Sequence, residues 1–146
     1  MQAEGYTARD AERITGAAYQ NLHYWMRSGL VDPSVQRSPG RSSGKPHLFG
    51  FRDLVAIRTI QDLRDQEVSL QRIRRVADRL RKARGWDDPL ARARLVVVGD
   101  DVVLVEAGKV ESVLQRPGAA AFAFVLDLER TVREVREAIE REGLAA

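Results

Sequence analysis

The sequence contains no cysteine and no long apolar run, and each absence restricts what the protein can be. Without cysteine, neither a disulfide framework nor a thiolate metal site can form. No apolar stretch reaches the roughly 20 residues that a membrane-spanning helix needs. The N-terminal segment MQAEGYTARD is polar and lacks the apolar region of a secretion signal. We therefore expect a cytoplasmic protein with no membrane partner.

The residue patterns that usually carry catalysis are also missing. There is no cysteine nucleophile, no glycine-rich phosphate loop with a lysine, and no histidine near a suitable serine and carboxylate set. The two histidines have no clustered carboxylates nearby, so we expect no metal site and no cofactor. The GDD at 99–101 is better explained as a hairpin turn than as a metal-binding pair. We expect no enzymatic activity.

What the sequence does have is an uneven distribution of charge. Residues 1–84 contain 16 Lys and Arg against 9 Asp and Glu, a surplus of 7 positive charges. Residues 85–146 contain 8 against 12, a surplus of 4 negative charges. The basic half suits a polyanion such as DNA, and the acidic half would be repelled by one. With 146 residues, one or two small domains are expected.

Local signals in the basic half predict four helices. Thr7 and Asp10 form an acidic capping box at the first helix, and Gly29 stops the second. The periodicity places Leu22, Trp25 and Leu30 in the core. The first predicted helix is capped by Thr7 and ends at Thr15-Gly16, and the second runs from about Ala18 to Ser28. The third covers the apolar positions from Phe49 to Leu63, and the fourth begins at Ser69 and ends near Arg84.

The segment 32–50, hereafter the wing, is rich in proline, glycine and serine and carries Arg37, Arg41 and Lys45. This composition predicts an exposed loop or hairpin tip. A short helix, a tight turn, a second helix with exposed polar groups and a basic hairpin together predict a winged helix-turn-helix. Asn and Gln side chains on the second helix can pair with base edges in the major groove.

Residues 85–89 are a predicted domain boundary. Beyond them, the spacing of the apolar residues changes from that of a helix to that of strands. LVVVGDDVVLVEAGKVESVL predicts three short strands with turns at 99–101 and 107–109, and residues 122–125 can add a fourth. A final helix is predicted from about 127 to 142. The expected fold class is α+β, with a DNA-binding domain at 1–84 and a small α+β domain at 85–146 for dimerisation or for an effector or partner.

The final helix carries an apolar seam with two interpretations. It can pair two chains in a dimer or cover the predicted sheet, and one helix can also do both; we favour the interpretation that it covers the sheet. The nearly unbroken valine runs 96–98 and 102–105 predict that both faces of the sheet are covered. The candidate dimerisation residues are Leu128, Val132, Val135 and Ile139.

Three sequence blocks resemble the MerR-type transcription regulators. They are YTARDAERITG at 6–16, NLHYWMRSGLVDP at 21–33 and HLFGFRDLVAIRTIQDLRDQEVSLQRIRRV at 47–76, in the family's order and spacing. The resemblance covers roughly the first half of the chain. It implies a homodimer on a near-palindromic promoter site in double-stranded DNA, action by promoter distortion, and contact with RNA polymerase there.

Carried over by position, the resemblance implies contacts from Tyr19 and Gln20 to bases, and from His23, Tyr24 and His47 to the DNA backbone. Both histidines stand where the family usually has arginine. The family's Ser or Thr at the start of the second helix is Ala17-Ala18 here, so that cap is missing. The family's long dimerisation helix and its effector domain have no recognisable counterpart, and a small-molecule effector is not identified.

From the residues themselves, the free N–H groups at 7–9 suit a phosphate, and Arg27 and the wing cations suit the DNA backbone. Two alternatives stay open: Tyr24 can pack or contact phosphate, and the wing charges can simply keep a loop soluble. The complete set of candidate DNA contacts is Thr7, Ala8, Arg9, Tyr19, Gln20, Asn21, His23, Tyr24, Arg27, Arg37, Arg41, Lys45 and His47.

The arginines of the fourth helix can face DNA, but a solvated helix face explains such a run more often. Two other functions also fit the sequence. One is an antitoxin-like or adaptor protein, whose acidic C-terminal domain binds a protein partner while the basic half tethers it to DNA. The other is a ligand sensor with a pocket among Trp86, Phe122, Phe124 and the valine strands.

Overall fold

The computed structural model describes residues 5–40, 44–106, 109–115, 124–126 and 128–143, and for 109–110, 124–126 and 128–131 it describes the backbone alone. The helices expected in the basic half are all present, and a short helix that begins with Pro89 was not expected. Phe49, expected in the third helix, lies before it, because its backbone pairs with Tyr6 in an antiparallel bridge. The helices are α1 Ala8–Thr15, α2 Tyr19–Arg27, α3 Phe51–Asp65, α4 Leu70–Arg84, α5 Pro89–Arg92 and α6 Leu128–Arg141.

Capping by near neighbours explains where α1 begins and ends. Thr7 Oγ1 accepts a hydrogen bond from the Asp10 N–H at 3.1 Å, and the Asp10 carboxylate accepts one from the Thr7 N–H at 3.1 Å. This is the predicted capping box, and it satisfies N–H groups that the first turn leaves open. Gly16 ends the helix with φ 83°, in the left-handed region that glycine tolerates.

Capping by near neighbours also determines where α4 begins and ends. Ser69 Oγ accepts from the Arg72 N–H at 3.2 Å, and the left-handed Gly85, with φ 70°, ends the helix. The predicted boundaries of this helix are therefore confirmed. They depend only on residues three or four positions apart, which the sequence displays directly.

The chain divides into two compact units, of which the first comprises Met1–Arg58 and Arg133–Ala146. Its core contains Leu22, Trp25 and Leu30, as predicted, together with the fully buried Phe49 and Leu54. Burial of these side chains fixes α1, α2 and the start of α3 around one another, because apolar surface removed from water contributes about 25 cal/mol per Å².

One carboxylate holds the base of the wing to α3. Asp53 Oδ2 accepts hydrogen bonds from the Gly50 N–H at 2.8 Å, the Ser34 N–H at 2.9 Å and the Ser34 hydroxyl at 2.6 Å. Above this anchor, Gln36 and Leu48 pair through their backbones in an antiparallel bridge. The predicted hairpin character of the wing is confirmed at this bridge.

The second half of α6 belongs to this helical unit. Glu134 pairs with Arg58 of α3 at 2.6 Å, and Glu142 pairs with Arg13 of α1 at 3.3 Å. Val135 and Ile139 are buried, with 0% and 1% of their surface exposed. These ion pairs join this half to α1 and α3, and the expectation that α6 covers the sheet stays a prediction.

This burial bears on the four candidate dimerisation residues. Val135 and Ile139 are enclosed within a single chain, Val132 is half-buried, and the Leu128 side chain lies outside the described part of the structure. Dimerisation through this seam remains a prediction, and it would require α6 to leave the core it occupies in one chain.

The second unit, Thr59–Val132, contains the sheet. Its strands are antiparallel in the order β3-β2-β1-β4, so the predicted strands are present and residues 124–126 supply the fourth. Adjacent residues Leu95 and Val96 are both fully buried, which confirms that both faces of β1 are covered. The strands are β1 Leu95–Val98, β2 Asp101–Glu106, β3 Lys109–Ser112 and β4 Phe124–Leu126.

The GDD motif lies at the β1–β2 hairpin, as predicted. Val98 pairs with Asp101 across the hairpin, and Gly99 takes the left-handed φ of 54° that the tight turn requires. Asp101 Oδ1 accepts hydrogen bonds from the N–H groups of Leu114 and Gln115, both at 3.2 Å. The predicted turn at 107–109 falls mostly on residues 107–108, which lie outside the described part of the chain.

A cavity of about 310 Å³ lies inside the second unit, between the end of α4 at Arg84 and strands β2 and β3. It differs from the pocket expected near Trp86, Phe122 and Phe124. Phe122 lies outside the described residues and Phe124 is described by its backbone alone, so the pocket of a ligand sensor stays a prediction.

The units divide the chain within α3 and within α6, whereas the boundary expected from the sequence lies at 84–85. The division of functions between residues 1–84 and 85–146 stays a prediction. Within the described residues, none of the helices combines the length and the apolar character needed to cross a membrane.

Candidate nucleic-acid interface

The turn between α1 and α2 is held by side chains of α1. Glu12 Oε2 accepts a hydrogen bond from the Tyr19 N–H at 3.1 Å, at the first residue of α2. Thr15 Oγ1 donates to the Ala11 carbonyl at 2.7 Å and accepts from the Ala17 N–H at 3.2 Å. Ala18 itself supplies no side-chain cap, as expected, but Glu12 supplies the missing acceptor from the preceding helix.

The two faces of α2 have opposite characters. Leu22, Trp25 and Met26 are buried and join α2 to the body of the unit. Gln20 and Asn21 are exposed, and 52% of the Tyr24 surface is accessible. Of the two interpretations of Tyr24, this exposure favours a surface role over packing. The exposed face is polar and aromatic, which is the character needed to contact DNA bases and backbone.

Beside α2 lies an open groove of about 650 Å³, hereafter called the DNA groove after the ligand expected from the sequence. The start of α1, one side of α2 and the tip of the wing form its walls, so segments separated by up to about 40 positions meet there. Its cationic and polar lining suits an anion such as a phosphate backbone. The lining residues are Thr7, Ala8, Arg9, Tyr19, His23, Arg27, Ser38, Gly40, Lys45, Pro46 and His47.

A stack of three side chains crosses from α1 to α2 in this groove. The Arg9 guanidinium carbon lies 3.9 Å from the centre of the Tyr19 ring, and that ring meets His23 edge-on at 4.5 Å between centroids. Arg9 also pairs with Glu12 at 3.4 Å. These contacts restrict the rotamers of Arg9 and Tyr19 before any DNA arrives, which lowers the entropy lost on binding.

His47 is held on the wing in its neutral form. Its Nδ1 accepts a hydrogen bond from the Ser38 N–H at 3.1 Å, which places the proton of the neutral ring on Nε2. Burial lowers the pKa of His47 below its ordinary 6.5, and the neighbouring Arg37 and His23 lower it further. At neutral pH this side chain therefore offers phosphate an N–H donor rather than a full charge.

A pH dependence of DNA binding follows from this arrangement. A phosphate near His47 would favour the charged imidazolium and raise its pKa, so binding would take up a proton. We expect DNA affinity to increase a few-fold, by about 2- to 5-fold, as the pH falls from 8 to 6. Fluorescence anisotropy titrations at constant ionic strength measure this change.

The control for that pH series is His47→Gln, which keeps a hydrogen-bonding side chain but cannot titrate. We expect its affinity to change less with pH than that of the unmodified protein. Equal pH profiles for the two proteins would show that His47 takes up no proton when DNA binds.

The remaining candidate contacts that the structure describes are not among the groove-lining residues. Gln20, Asn21 and Tyr24 are on the neighbouring exposed face of α2, and Arg37 pairs with Asp32 at 2.7 Å. Arg41 lies outside the described residues. Sequence reasoning did not single out Ser38, Gly40 or Pro46, although the Pro/Gly/Ser-rich composition of the wing was a signal for them.

The arginines of α4 behave differently from those of the groove. Arg79 donates to the carbonyls of Val113 and Leu114, and Arg81 pairs with Asp78 at 3.2 Å on the same helix. For Arg79 and Arg81, these contacts support a structural and a solvated role, respectively, over a stripe that faces DNA.

Comparisons with known proteins agree with this geometry. Residues 6–80 match the family described as MerR HTH family regulatory protein. Curated relatives at 30% identity over 131 residues are uncharacterized HTH-type transcriptional regulators of Mycobacterium bovis and of two strains of Mycobacterium tuberculosis. The match covers 90% of this chain and 56% of each relative, so the chain spans about half the length of these proteins. The chain belongs to the MerR family of helix-turn-helix regulatory proteins.

Proposed function

We propose that this DNA-binding transcriptional regulator acts as a homodimer on a near-palindromic promoter site. The observation that supports DNA binding most directly is the DNA groove, in which the start of α1, the side of α2 and the wing converge on one cationic surface; the homodimer rests on the resemblance to the family. The proposal assigns no catalytic step. It places the protein in the cytoplasm, with promoter DNA and RNA polymerase as partners.

In this proposal α2 enters the major groove of DNA. Gln20 and Asn21 are exposed at its first turn and suit base edges, because their amides can both donate and accept hydrogen bonds. Arg27, Lys45 and His47 line the adjacent groove and suit the phosphates that flank those bases. The open N–H groups at the start of α1 favour a further phosphate.

Two-fold symmetry of a homodimer would place two copies of α2 in successive major grooves, about 34 Å apart. Selecting genomic fragments with the purified protein at near-physiological salt tests this proposal. An enriched inverted repeat in promoter regions is the expected result. If the protein retains fragments that share no motif and releases them as the salt concentration rises, it is attracted to polyanions in general, and the adaptor function is favoured instead.

Single substitutions separate base contacts from phosphate contacts. Gln20→Ala is expected to reduce the preference for one DNA sequence over others and to weaken the binding free energy at the preferred site by about 1–3 kcal/mol. Lys45→Ala is expected to weaken binding to all DNA sequences by the same factor. It should also reduce by about 1 the slope of log affinity against log salt concentration. Anisotropy titrations on the selected site and on a scrambled duplex, over a salt series, measure both effects.

Lys82→Ala is the matched control, because Lys82 is an exposed lysine on α4 and does not line the groove. We expect this variant to bind like the unmodified protein. If Gln20→Ala and Lys45→Ala also bind like the unmodified protein on both duplexes, this surface does not contact DNA.

A further inference from the structure

Glu12 places a negative charge beside a surface that is proposed to bind a polyanion. It lies on α1 with a partly exposed side chain, and it contacts Arg9 and Tyr19, which both line the DNA groove. A carboxylate in this place repels phosphates, so charge alone predicts that Glu12 weakens DNA binding. The contacts of its two oxygens indicate a different role.

One carboxylate oxygen holds the first residue of α2. Glu12 Oε2 accepts a hydrogen bond from the Tyr19 N–H at 3.1 Å. The helix has no side-chain cap of its own at Ala18 and no acidic residue in its first turn. Glu12 therefore supplies an acceptor that α2 lacks and a negative charge at the positive end of its dipole, and both stabilise the start of the helix.

The other oxygen holds the arginine that covers the Tyr19 ring. Glu12 Oε1 pairs with Arg9 Nη1 at 3.4 Å, and the Arg9 guanidinium carbon lies 3.9 Å from the centre of the ring. The same ring meets His23 edge-on at 4.5 Å between centroids. Glu12 thus fixes Tyr19 twice, through its backbone directly and through its ring by way of Arg9.

These contacts form a closed set of three residues. An exposed ion pair or an exposed cation–π contact contributes little when it stands alone. Here each contact orients the side chain that makes the next one, from Glu12 to Arg9, from Arg9 to the Tyr19 ring, and from the Tyr19 backbone to Glu12. The set therefore restricts the rotamers of the three side chains more than one contact would.

We propose that Glu12 is a positioning residue for DNA recognition. It fixes the start of α2 and the direction in which Arg9 and Tyr19 face DNA, without touching DNA itself. The inference rests on the proposed function, because it concerns the same surface. Its consequence is opposite to that of charge alone: removal of this negative charge weakens binding to the preferred site.

Glu12→Ala and Glu12→Gln test the proposal in anisotropy titrations on the selected site and on a scrambled duplex. Alanine removes both contacts, whereas glutamine keeps an acceptor for the Tyr19 N–H and loses the charge that holds Arg9. We expect binding to the selected site to weaken about tenfold for alanine and about threefold for glutamine. Binding to the scrambled duplex is expected to strengthen by up to about twofold, because a repulsive charge is gone.

Glu140→Gln is the matched control, because it removes the same charge at an exposed position of α6 that does not line the groove. We expect it to bind both duplexes within about twofold of the unmodified protein. If both Glu12 variants bind the selected site as tightly as the unmodified protein, or more tightly, the positioning role is overturned. If the unmodified protein does not distinguish the two duplexes, the proposed function fails, and this inference fails with it.

A double-mutant cycle shows whether Glu12 acts through Arg9. In an Arg9→Ala background, Glu12→Gln removes only a repulsive charge, because the side chain that Glu12 holds is gone. Binding to the selected site is then expected to stay equal or to strengthen by up to about twofold, instead of weakening about threefold. The same loss in both backgrounds would overturn the action of Glu12 through Arg9.

Hydrogen exchange of the backbone amides, followed by NMR without DNA, tests the contact with α2. The Tyr19 amide is expected to exchange at least about threefold faster in Glu12→Ala and at nearly the unmodified rate in Glu12→Gln. The amides of Trp25 and Met26 in the same helix are expected to keep their protection in both variants. If their protection is lost together with that of Tyr19, Glu12 stabilises the whole helix, and the positioning role is overturned.

Discussion

Val135→Asp is expected to unfold the helix-turn-helix unit, although Val135 is far from α1 and α2 in the sequence. Val135 is completely buried in α6, in the unit that contains α1, α2 and the start of α3. The substitution removes apolar burial and places a carboxylate where it has no prepared partner, which together costs roughly 4 kcal/mol or more. That is a large fraction of the roughly 5–15 kcal/mol by which domains are stable.

Urea unfolding followed by circular dichroism measures the loss, and the selected DNA site measures its consequence for binding. Glu137→Asp is the matched control, because it places aspartate at an exposed position of the same helix. We expect this control to remain within about 0.5 kcal/mol of the unmodified protein. If Val135→Asp is equally stable, α6 does not form part of the helical unit.

The double substitution Arg27→Glu and Lys45→Glu is expected to abolish most DNA binding while leaving the fold intact. Both side chains are exposed and line the DNA groove. The two reversals change the charge facing the phosphates by four units, at about 1 kcal/mol or less for each unit in a highly solvated site. Affinity should therefore fall on the order of 100- to 1,000-fold at low salt, and less at high salt.

Arg75→Glu with Lys82→Glu makes the same change in net charge on exposed positions of α4. This control is expected to bind DNA within a few-fold of the unmodified protein, about 5-fold at most, through long-range charge alone. Anisotropy titrations give both affinities, and thermal unfolding shows whether each protein is folded. Equal losses in the two double variants would mean that net charge, and not the groove, governs DNA binding.

Much of the helical architecture was predictable because its signals are local. The Thr7 and Asp10 capping box, the Ser69 cap and the left-handed Gly85 act across three or four positions. The inward face of α2 was predictable for the same reason, since Leu22 and Trp25 follow the helical period. Predictions that rested on such short spacings are confirmed.

The cap on α2 shows where local reasoning stops. The sequence indicated correctly that Ala18 cannot cap the helix, but the acceptor comes from Glu12, on the preceding helix and across the turn. Its role depends on the angle between α1 and α2, which their buried side chains determine. Neither spacing nor residue type alone displays that angle.

The sequence by itself determined the helices of the basic half, the antiparallel hairpin of β1 and β2, the polar face of α2 and the family, because each depends on neighbouring residues or on a pattern along the chain. Only the tertiary structure decided that α6 packs with α1 and α3, that the wing and α1 meet α2 in one groove, and that a cavity forms beside Arg84. These features join residues that are distant in the sequence, and which distant surfaces meet is set by how the whole apolar core packs.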